Sequence, residues 1–541
     1  MAIPPIPKLV DTVIVGNGPS ALILSYILHG HIPYYEPSKP HPDPILHEKL
    51  CATPCLFDVD VQDLTAHFAA SRLSYSTQAL PINVLLDTLL RPLADTDPGK
   101  YSSCIKWRHE RERQVQHLVL GNTAQAGGQW ADNPVSASWD IGALSYSEML
   151  SLPGYTFAKH YEKTHRRRAP DFYRPTRREV ARYLAAYPEA VGINDSIYTR
   201  QEVTCIRRED GGFRIDSHGI CCKHLILASG TFSNLIPPRP LLQPLKALRH
   251  PNSMSQAPLL VVGSGFTAAD VIITQPNRKI IHIFKWDPDK RPSPLRACHP
   301  RAYPEYASIY RRMKIAARDA LGPQEVKSPM RTKKSNPFFK ERDWDNVYEG
   351  LPNTYIKAVD LHDTRAVLTL ETSDGKLIER VISNMEYVIG RRGSLSYIDE
   401  SIAKEIGQGL EEERPINRAL ISGRTLRPMV ERTLELAPNV FVTGSLSGDS
   451  LVRFAYGGCV FAAREIMRPI ARSSATLIDT PSDRYLACSP PSSSQSDASP
   501  STSGGVVSRS GHLDLHIDKS NHPYHSDMED AKYGIWPGSW P

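Results

Sequence analysis

The stretch VDTVIVGNGPSALILSYILHG, residues 10–30, decides the fold. Its apolar run is broken by Asp11 and by the polar turn Gly16-Asn17-Gly18. A signal peptide needs a basic start and an uninterrupted apolar centre, and a spanning helix needs about 20 apolar residues in a row. What is left is a β-branched run ending at Val15, a glycine-rich turn, and a second apolar run of Ala, Leu and Ile with helical character. Within this strand, turn and helix lies Gly16-x-Gly18-x-x-Ala21. The first glycine permits the tight turn and the second lets the backbone come against a pyrophosphate. A small third residue lets helix and strand pack closely, and free N–H groups at the helix start face the phosphates. An acid about 20 residues on, at the end of the next strand, accepts hydrogen bonds from a ribose. Glu36, in HIPYYEPS, stands 20 residues after Gly16.

Working outward, PLLVVGSGFTAADVI repeats the pattern as Gly263-x-Gly265-x-x-Ala268, again between an apolar strand and a helical run. After the next strand, IIHIF, the position 20 residues past Gly265 is Lys285 rather than an acid. A cation there pairs with a 2′-phosphate, which favours NADPH over NADH, and Arg291 is close enough in sequence to share the task. Two such turns imply two dinucleotides, and chains that carry both commonly pass hydride from a nicotinamide to a flavin. The expected cofactors are therefore FAD at the first turn and NADPH at the second. The expected fold is α/β, a flavoprotein with two dinucleotide-binding domains. An FAD domain over 1–250 is interrupted by an NADPH domain over 251–385 and resumes over 386–471, leaving a disordered Ser/Pro-rich tail over 472–541.

Composition sets the outer limits. A chain of 541 residues is long enough for two or three domains. Its 64 basic and 58 acidic side chains leave a net charge of +6, so no global field asks for nucleic acid. The local run His165-Arg166-Arg167-Arg168 with Arg174, Arg177 and Arg178 reads as a solvated face. None of the nine cysteines has metal spacing, and Cys51-x-x-x-Cys55 fits neither a redox nor a zinc pair. No metal site is expected, and without a secretion signal the chain reads as cytoplasmic with reduced thiols. Between Ser489 and Ser503 eight of fifteen residues are serine, too polar to offset the entropy of ordering. The terminal YGIWPGSWP is a candidate protein-docking peptide.

Further segments carry a family resemblance: LVLGNTAQAGGQWAD with Gly127, Gly128 and Trp130, RPTRREVARYLAAYPEAVGI, HLILASGTFSNLIPPRP, YPEYASIYRRMK and GSLSGDSLVRFAYGGCV. With the two glycine turns, they make the chain resemble the flavin-containing monooxygenase superfamily, and most of all the oxidative stress-induced growth inhibitor family, over residues from about 10 to 470. The resemblance implies that the Gly-Gly-x-Trp turn looks onto the flavin. It also implies that Ala228-Ser229-Gly230 lies on a linker between the two domains, and that the segment at Gly444 makes the last flavin contact. The acid usual beside that glycine is Ser445 here, with Asp449 five residues past Gly444 as its candidate replacement. Gly127 follows Glu36 by 91 residues, so an insertion is expected over about 37–126. The F-x-G-x-x-x-H fingerprint of Baeyer–Villiger enzymes is reduced to His250 in PLKALRH.

The function expected from these segments is an FAD- and NADPH-dependent monooxygenase that forms a C4a-(hydro)peroxyflavin from O₂ and oxygenates a small organic substrate. No catalytic acid, base or nucleophile stands out in the sequence, which suits chemistry carried by a cofactor. An N-hydroxylase of an amino group shares the scaffold, as does a regulatory protein that keeps the FAD fold without turnover. A flavin disulfide reductase would need a cysteine pair at the flavin.

Overall fold

The run TVIV forms strand β1 (Thr12–Val15), buried along its whole length, as befits the middle of a covered parallel sheet. The computed structural model describes residues 6–73, 75–93, 102–248, 257–321, 342–408, 418–431 and 433–468. The Ser/Pro-rich tail and His250 lie outside these residues. β1 pairs in parallel with β4 (His117–Leu120) on one side and β9 (His224–Leu227) on the other. The sheet has six strands in the order β19 (Glu435–Ala437), β20 (Val440–Val442), β9, β1, β4, β5 (Ile197–Tyr198), with only β19 antiparallel to its neighbour. Register sets Val15, Leu120, Leu227 and Val442 in one row. The residues that follow them, Gly16, Gly121, Ala228 and Thr443, therefore share the carboxyl edge, where open α/β sheets bind ligands.

A second parallel sheet has the order β13 (Tyr348–Pro352), β12 (Ile280–Phe284), β11 (Leu259–Val262), β17 (Asn384–Tyr387). It is inserted between β9 and β19, so the first sheet is built from both ends of the described chain. The outgoing and returning connections pair with each other: β10 (Asn234–Leu235) runs antiparallel to β18 (Arg391–Arg392). Two antiparallel trios complete the strands. They are β6 (Ile206–Glu209), β7 (Gly212–Ile215) and β8 (Ile220–Cys222), and β14 (Tyr355–Leu361), β15 (Ala366–Glu371) and β16 (Leu377–Ile382).

One expectation fails in space. β2 (His31–Tyr35), which follows β1 in sequence, pairs antiparallel with β3 (Ile105–His109) and is not a strand of the six-stranded sheet. The place beside β1 is taken by β4. The segment read as an insertion over 37–126 thus ends in a central strand. It also contributes the helix Pro81–Leu90, which packs on the helix Tyr456–Met467 so closely that a Cβ at Gly457 would lie 2.3 Å from the Ile82 carbonyl oxygen. The helix Pro19–Leu28 is buried on all sides from Ala21 to Leu28, because it lies between the sheet and Tyr456–Met467. Among the described residues no helix is long and apolar enough to cross a membrane.

Candidate functional site

At the carboxyl edge of β1 the chain has no room for a side chain and then an excess of room. Gly16 has φ +115°, and a Cβ there would lie 2.4 Å from the Ala228 carbonyl oxygen. Gly18 has φ −77° and would carry a Cβ with nothing within 4 Å. It caps the helix Pro19–Leu28, whose Pro19 supplies the pre-set φ of a first helical residue. An open cradle before free helical N–H groups fits a pyrophosphate.

Three segments converge on this turn. The Gly127 N–H donates to the Asn17 carbonyl at 2.8 Å, and a Cβ on Gly128 would lie 3.0 Å from the Gly18 Cα. Trp130 closes that turn, its N–H donating to the Gly127 carbonyl at 3.1 Å, and is half-buried against the main core. Gly444, at φ +70°, abuts the helix start: a Cβ there would lie 2.4 Å from Ser20 Oγ. Ala21 is fully buried where helix meets sheet.

Two of the expected residues are engaged by neighbouring parts of the chain. Glu36 follows β2, its N–H donating to the Cys104 carbonyl at 2.8 Å and its carboxylate accepting from Ser38 Oγ at 2.9 Å. The end of the strand beside β1 belongs to Gly121, and the space of its missing side chain is filled by Asn17: a Cβ at 121 would lie 2.1 Å from the Asn17 Cγ. The Asn17 carboxamide, 2 % exposed, donates to Thr123 Oγ1 at 2.8 Å and so ties the first turn to β4. Asp449 is committed to holding segments together. It accepts from Arg427 Nη1 at 2.7 Å, the Leu80 N–H at 2.8 Å and Asn83 Nδ2 at 2.6 Å. Ser445 Oγ accepts the Thr231 N–H at 3.0 Å, joining the last glycine segment to the outgoing connection.

The second turn repeats the first. Gly263 has φ +150°, and a Cβ there would lie 2.5 Å from the Val388 carbonyl oxygen, while Gly265 has only Pro294 Cγ at 3.9 Å. Ala268 is 1 % exposed, at the contact of the helix Phe266–Ile273 with β11. Lys285 stands at the carboxyl end of β12, the strand beside β11, and donates to Tyr355 Oη at 3.0 Å. This bond lowers the Tyr355 pKa from its ordinary value. Arg291 lies in the following loop, its N–H donating to the Asp287 carbonyl at 3.0 Å. His282 on β12 is a residue the sequence reading passed over. It is wholly buried, donates Nε2–H to the Gly263 carbonyl at 2.6 Å, and accepts from Tyr348 Oη at Nδ1 over 2.8 Å. Burial lowers its pKa to about 4, which keeps the imidazole neutral in that bridge. Its only sequence signal is a polar residue inside the apolar run IIHIF. The described cysteines form no disulfide, and burial raises the pKa of the Cys55 thiol above its ordinary value.

Set beside known proteins, the chain matches no family model. It is 27% identical over 498 residues to the mouse protein oxidative stress-induced growth inhibitor 1, covering 85% of this chain and 95% of that one. The chain is a relative of the oxidative stress-induced growth inhibitor proteins. Human oxidative stress-induced growth inhibitor 2 is 25% identical over 514 residues, with 84% and 92% covered, and the Caenorhabditis elegans homolog osgn-1 is 25% identical, with 84% and 94% covered. Solved structures with a likeness to this chain include a flavin monooxygenase from Stenotrophomonas maltophilia, at TM-score 0.45 and 13% identity, covering 85% of this chain and 99% of that one. Others are a bacillithiol disulfide reductase from Staphylococcus aureus, at 0.46 and 10%, and an ornithine hydroxylase from Pseudomonas aeruginosa, at 0.43 and 13%, each covering 85% of this chain and 99% of its own. The reading of the fold stands on strand order and the two glycine turns.

Proposed function

We propose that the protein is a flavin-dependent monooxygenase that binds FAD at the Gly16–Ala21 turn and NADPH at the Gly263–Ala268 turn. The observation that carries this reading is the duplication of one device. In each sheet the first glycine is forced by a neighbouring backbone oxygen, and at the second, at a helix start, a Cβ would meet nothing nearer than 3.9 Å. FAD, once reduced by NADPH, would supply oxygen activation; the chain's own residues bind, orient and exclude water. Gly18 and the start of the helix Pro19–Leu28 would take the flavin's pyrophosphate. Gly127, Gly128, Trp130 and Gly444 would wall the same end of the sheet. Lys285, with Arg291 in the next loop, would take the 2′-phosphate at the second turn. The domain roles follow: the six-stranded sheet serves the flavin and the four-stranded sheet the nicotinamide.

The ribose end of such a flavin site would depart from the usual pattern, since the residue after β4, the strand beside β1, is Gly121 packed on Asn17. That departure favours a second reading, in which the fold is kept for regulation without turnover. One measurement separates them: purified protein is scanned for flavin absorbance, then given NADPH without and with O₂. Bound FAD, anaerobic bleaching by NADPH and oxygen uptake on re-aeration support the monooxygenase. Protein that takes up no FAD when reconstituted overturns it in favour of the regulatory reading.

A further inference from the structure

The motif RPTRR places three arginines within five residues, and they meet different fates. Arg174 reaches Glu305 at 2.7 Å, the Ala302 carbonyl at 2.7 Å and the Ala143 carbonyl at 2.9 Å. Arg178 forks onto Asp140 at 2.7 and 2.9 Å. Arg177 lies between them, at the start of the helix Arg177–Val191, and is 7 % exposed. It has only long contacts to neutral oxygens: Val135 O and Ser138 Oγ at 3.4 Å and Gln129 O at 3.5 Å. Its Nε has no partner, and its guanidinium lies over the Trp139 ring at 4.7 Å. A charged donor at its preferred partner sits near 2.8 Å, so this buried cation is underserved.

A second cation stands nearby. Arg391 lies on β18, on the returning connection, and its guanidinium makes no hydrogen bond or ion pair among the described residues. Leu235, the register partner of Arg391, packs on the cluster that holds Val135, whose carbonyl Arg177 approaches, and after burial the charge of Arg391 is the next cause lowering Arg177 to about 10. Of the two acids that bear on Arg177, Asp132 and Asp270, the one that also bears on Arg391 is Asp270, in the helix that the second glycine turn opens. It accepts from Tyr306 Oη at 2.8 Å, and burial raises it to about 6. Asp270 is not in ion-pair contact with either arginine among the described residues. Because Arg177 also touches Gln129 in the Gly127–Trp130 turn, the cluster bridges the two nucleotide turns. Burying charge without a close counter-charge is costly, and proteins retain it where a ligand supplies the partner.

We propose that Arg177 and Arg391 form an anion site between the two glycine turns, which takes the carboxylate or phosphate of a bound small molecule. The same chemistry has two sources, an anionic substrate or the phosphates of the nicotinamide coenzyme itself. The full-length protein is titrated at constant ionic strength with inorganic phosphate, benzoate and NADP⁺, with chloride as the salt control, by calorimetry and thermal shift. Phosphate or benzoate raises the Tm of the wild type above chloride. Arg177→Met and Arg391→Met each weaken the bound anion about ten- to a hundredfold, the loss of a charge-assisted contact. The exposed Lys376→Met does not. An NADP⁺ Kd that rises by the same factor in both variants identifies the coenzyme as the source; an unchanged NADP⁺ Kd with lost benzoate binding identifies a substrate. The proposal is overturned if none of the three probes binds the wild type at tens of millimolar, or if both variants bind them as the wild type does. Should Arg177→Met fail to fold, the half-buried Arg391→Met decides alone. Flavin content, read separately in Arg391→Met, is unaffected either way.

Discussion

Alanine at each of the four turn glycines separates what the fold needs from what a ligand needs. At Gly16 a methyl would lie 2.4 Å from the Ala228 oxygen and 2.7 Å from its carbon, on a backbone with φ +115°. The strained φ costs about 1–3 kcal/mol and the overlap with immobile backbone about as much again, so roughly 2–6 kcal/mol in all. That is a large share of the ~5–15 kcal/mol by which a folded protein is stable. Gly263, with φ +150° and its methyl 2.5 Å from the Val388 oxygen, behaves alike. Gly18 is the opposite case. At φ −77° with nothing within 4 Å, alanine fits, and by restricting the unfolded chain it stabilises the apoprotein by about 0.4–1 kcal/mol. Its methyl nonetheless stands where the pyrophosphate would come, and one lost bond to a charged oxygen, about 1.5–3 kcal/mol, weakens FAD roughly ten- to a hundredfold. Gly265→Ala should do the same to NADPH and leave FAD alone. Urea unfolding of apoprotein gives the stabilities, and fluorescence titration with each nucleotide gives the affinities. A Gly18→Ala protein with wild-type FAD affinity, or a Gly16→Ala protein as stable as wild type, would refute the reasoning.

Lys285→Ala should lower the NADPH to NADH ratio of kcat/KM about ten- to a hundredfold with flavin content unchanged; an unchanged ratio transfers the role to Arg291. Glu36→Gln should leave FAD affinity within about twofold, because Glu36 follows β2 and not the strand beside β1; a large loss would mean that β2 reaches the flavin. Asp449→Asn should lower stability by about 3 kcal/mol through its bonds to Arg427, Leu80 and Asn83, with flavin affinity kept; flavin lost at full stability would reverse that assignment. Asp270 gives a pH signature. Its folded pKa of about 6 exceeds the ordinary 3.8, so the folded state holds the proton more tightly. The associated stability is complete below 3.8 and is lost as pH rises through about 6, a difference of about 3 kcal/mol. Asp270→Asn should match the wild type at pH 3.5 and exceed it by up to that amount at pH 8, in urea midpoints; a difference that does not change with pH counts against it.

The sequence by itself determined the two strand, turn and helix units. The apolar run, two glycines and a small residue are contiguous, and each constraint acts within one turn: the helix start needs Gly18 and Pro19 in line, and the close packing needs Ala21 and Ala268. It also carried Lys285 to the carboxyl end of the strand beside β11, because β12 is the next strand both in sequence and in space. The same count carries Glu36 to the end of β2, a strand outside the six-stranded sheet. Between β1 and its true neighbour β4 lie β2, β3 and the helix Pro81–Leu90, and counting residues from Gly16 cannot tell which later strand wins the place beside β1. That is decided by long-range pairing: β2 turns aside to β3, and Gly457 lets the Pro81–Leu90 helix close on the end of the chain. Tertiary structure alone also decided which of three neighbouring arginines is left without a counter-charge. Arg174 and Arg178 find Glu305 and Asp140, whereas Arg177 meets Gln129, Val135 and Ser138 and feels Arg391, which lies more than about two hundred residues away in sequence. Local patterning fixes elements because their energetics are local. Electrostatic partners and strand order are set by which distant surfaces are buried together, and no window of sequence contains that information.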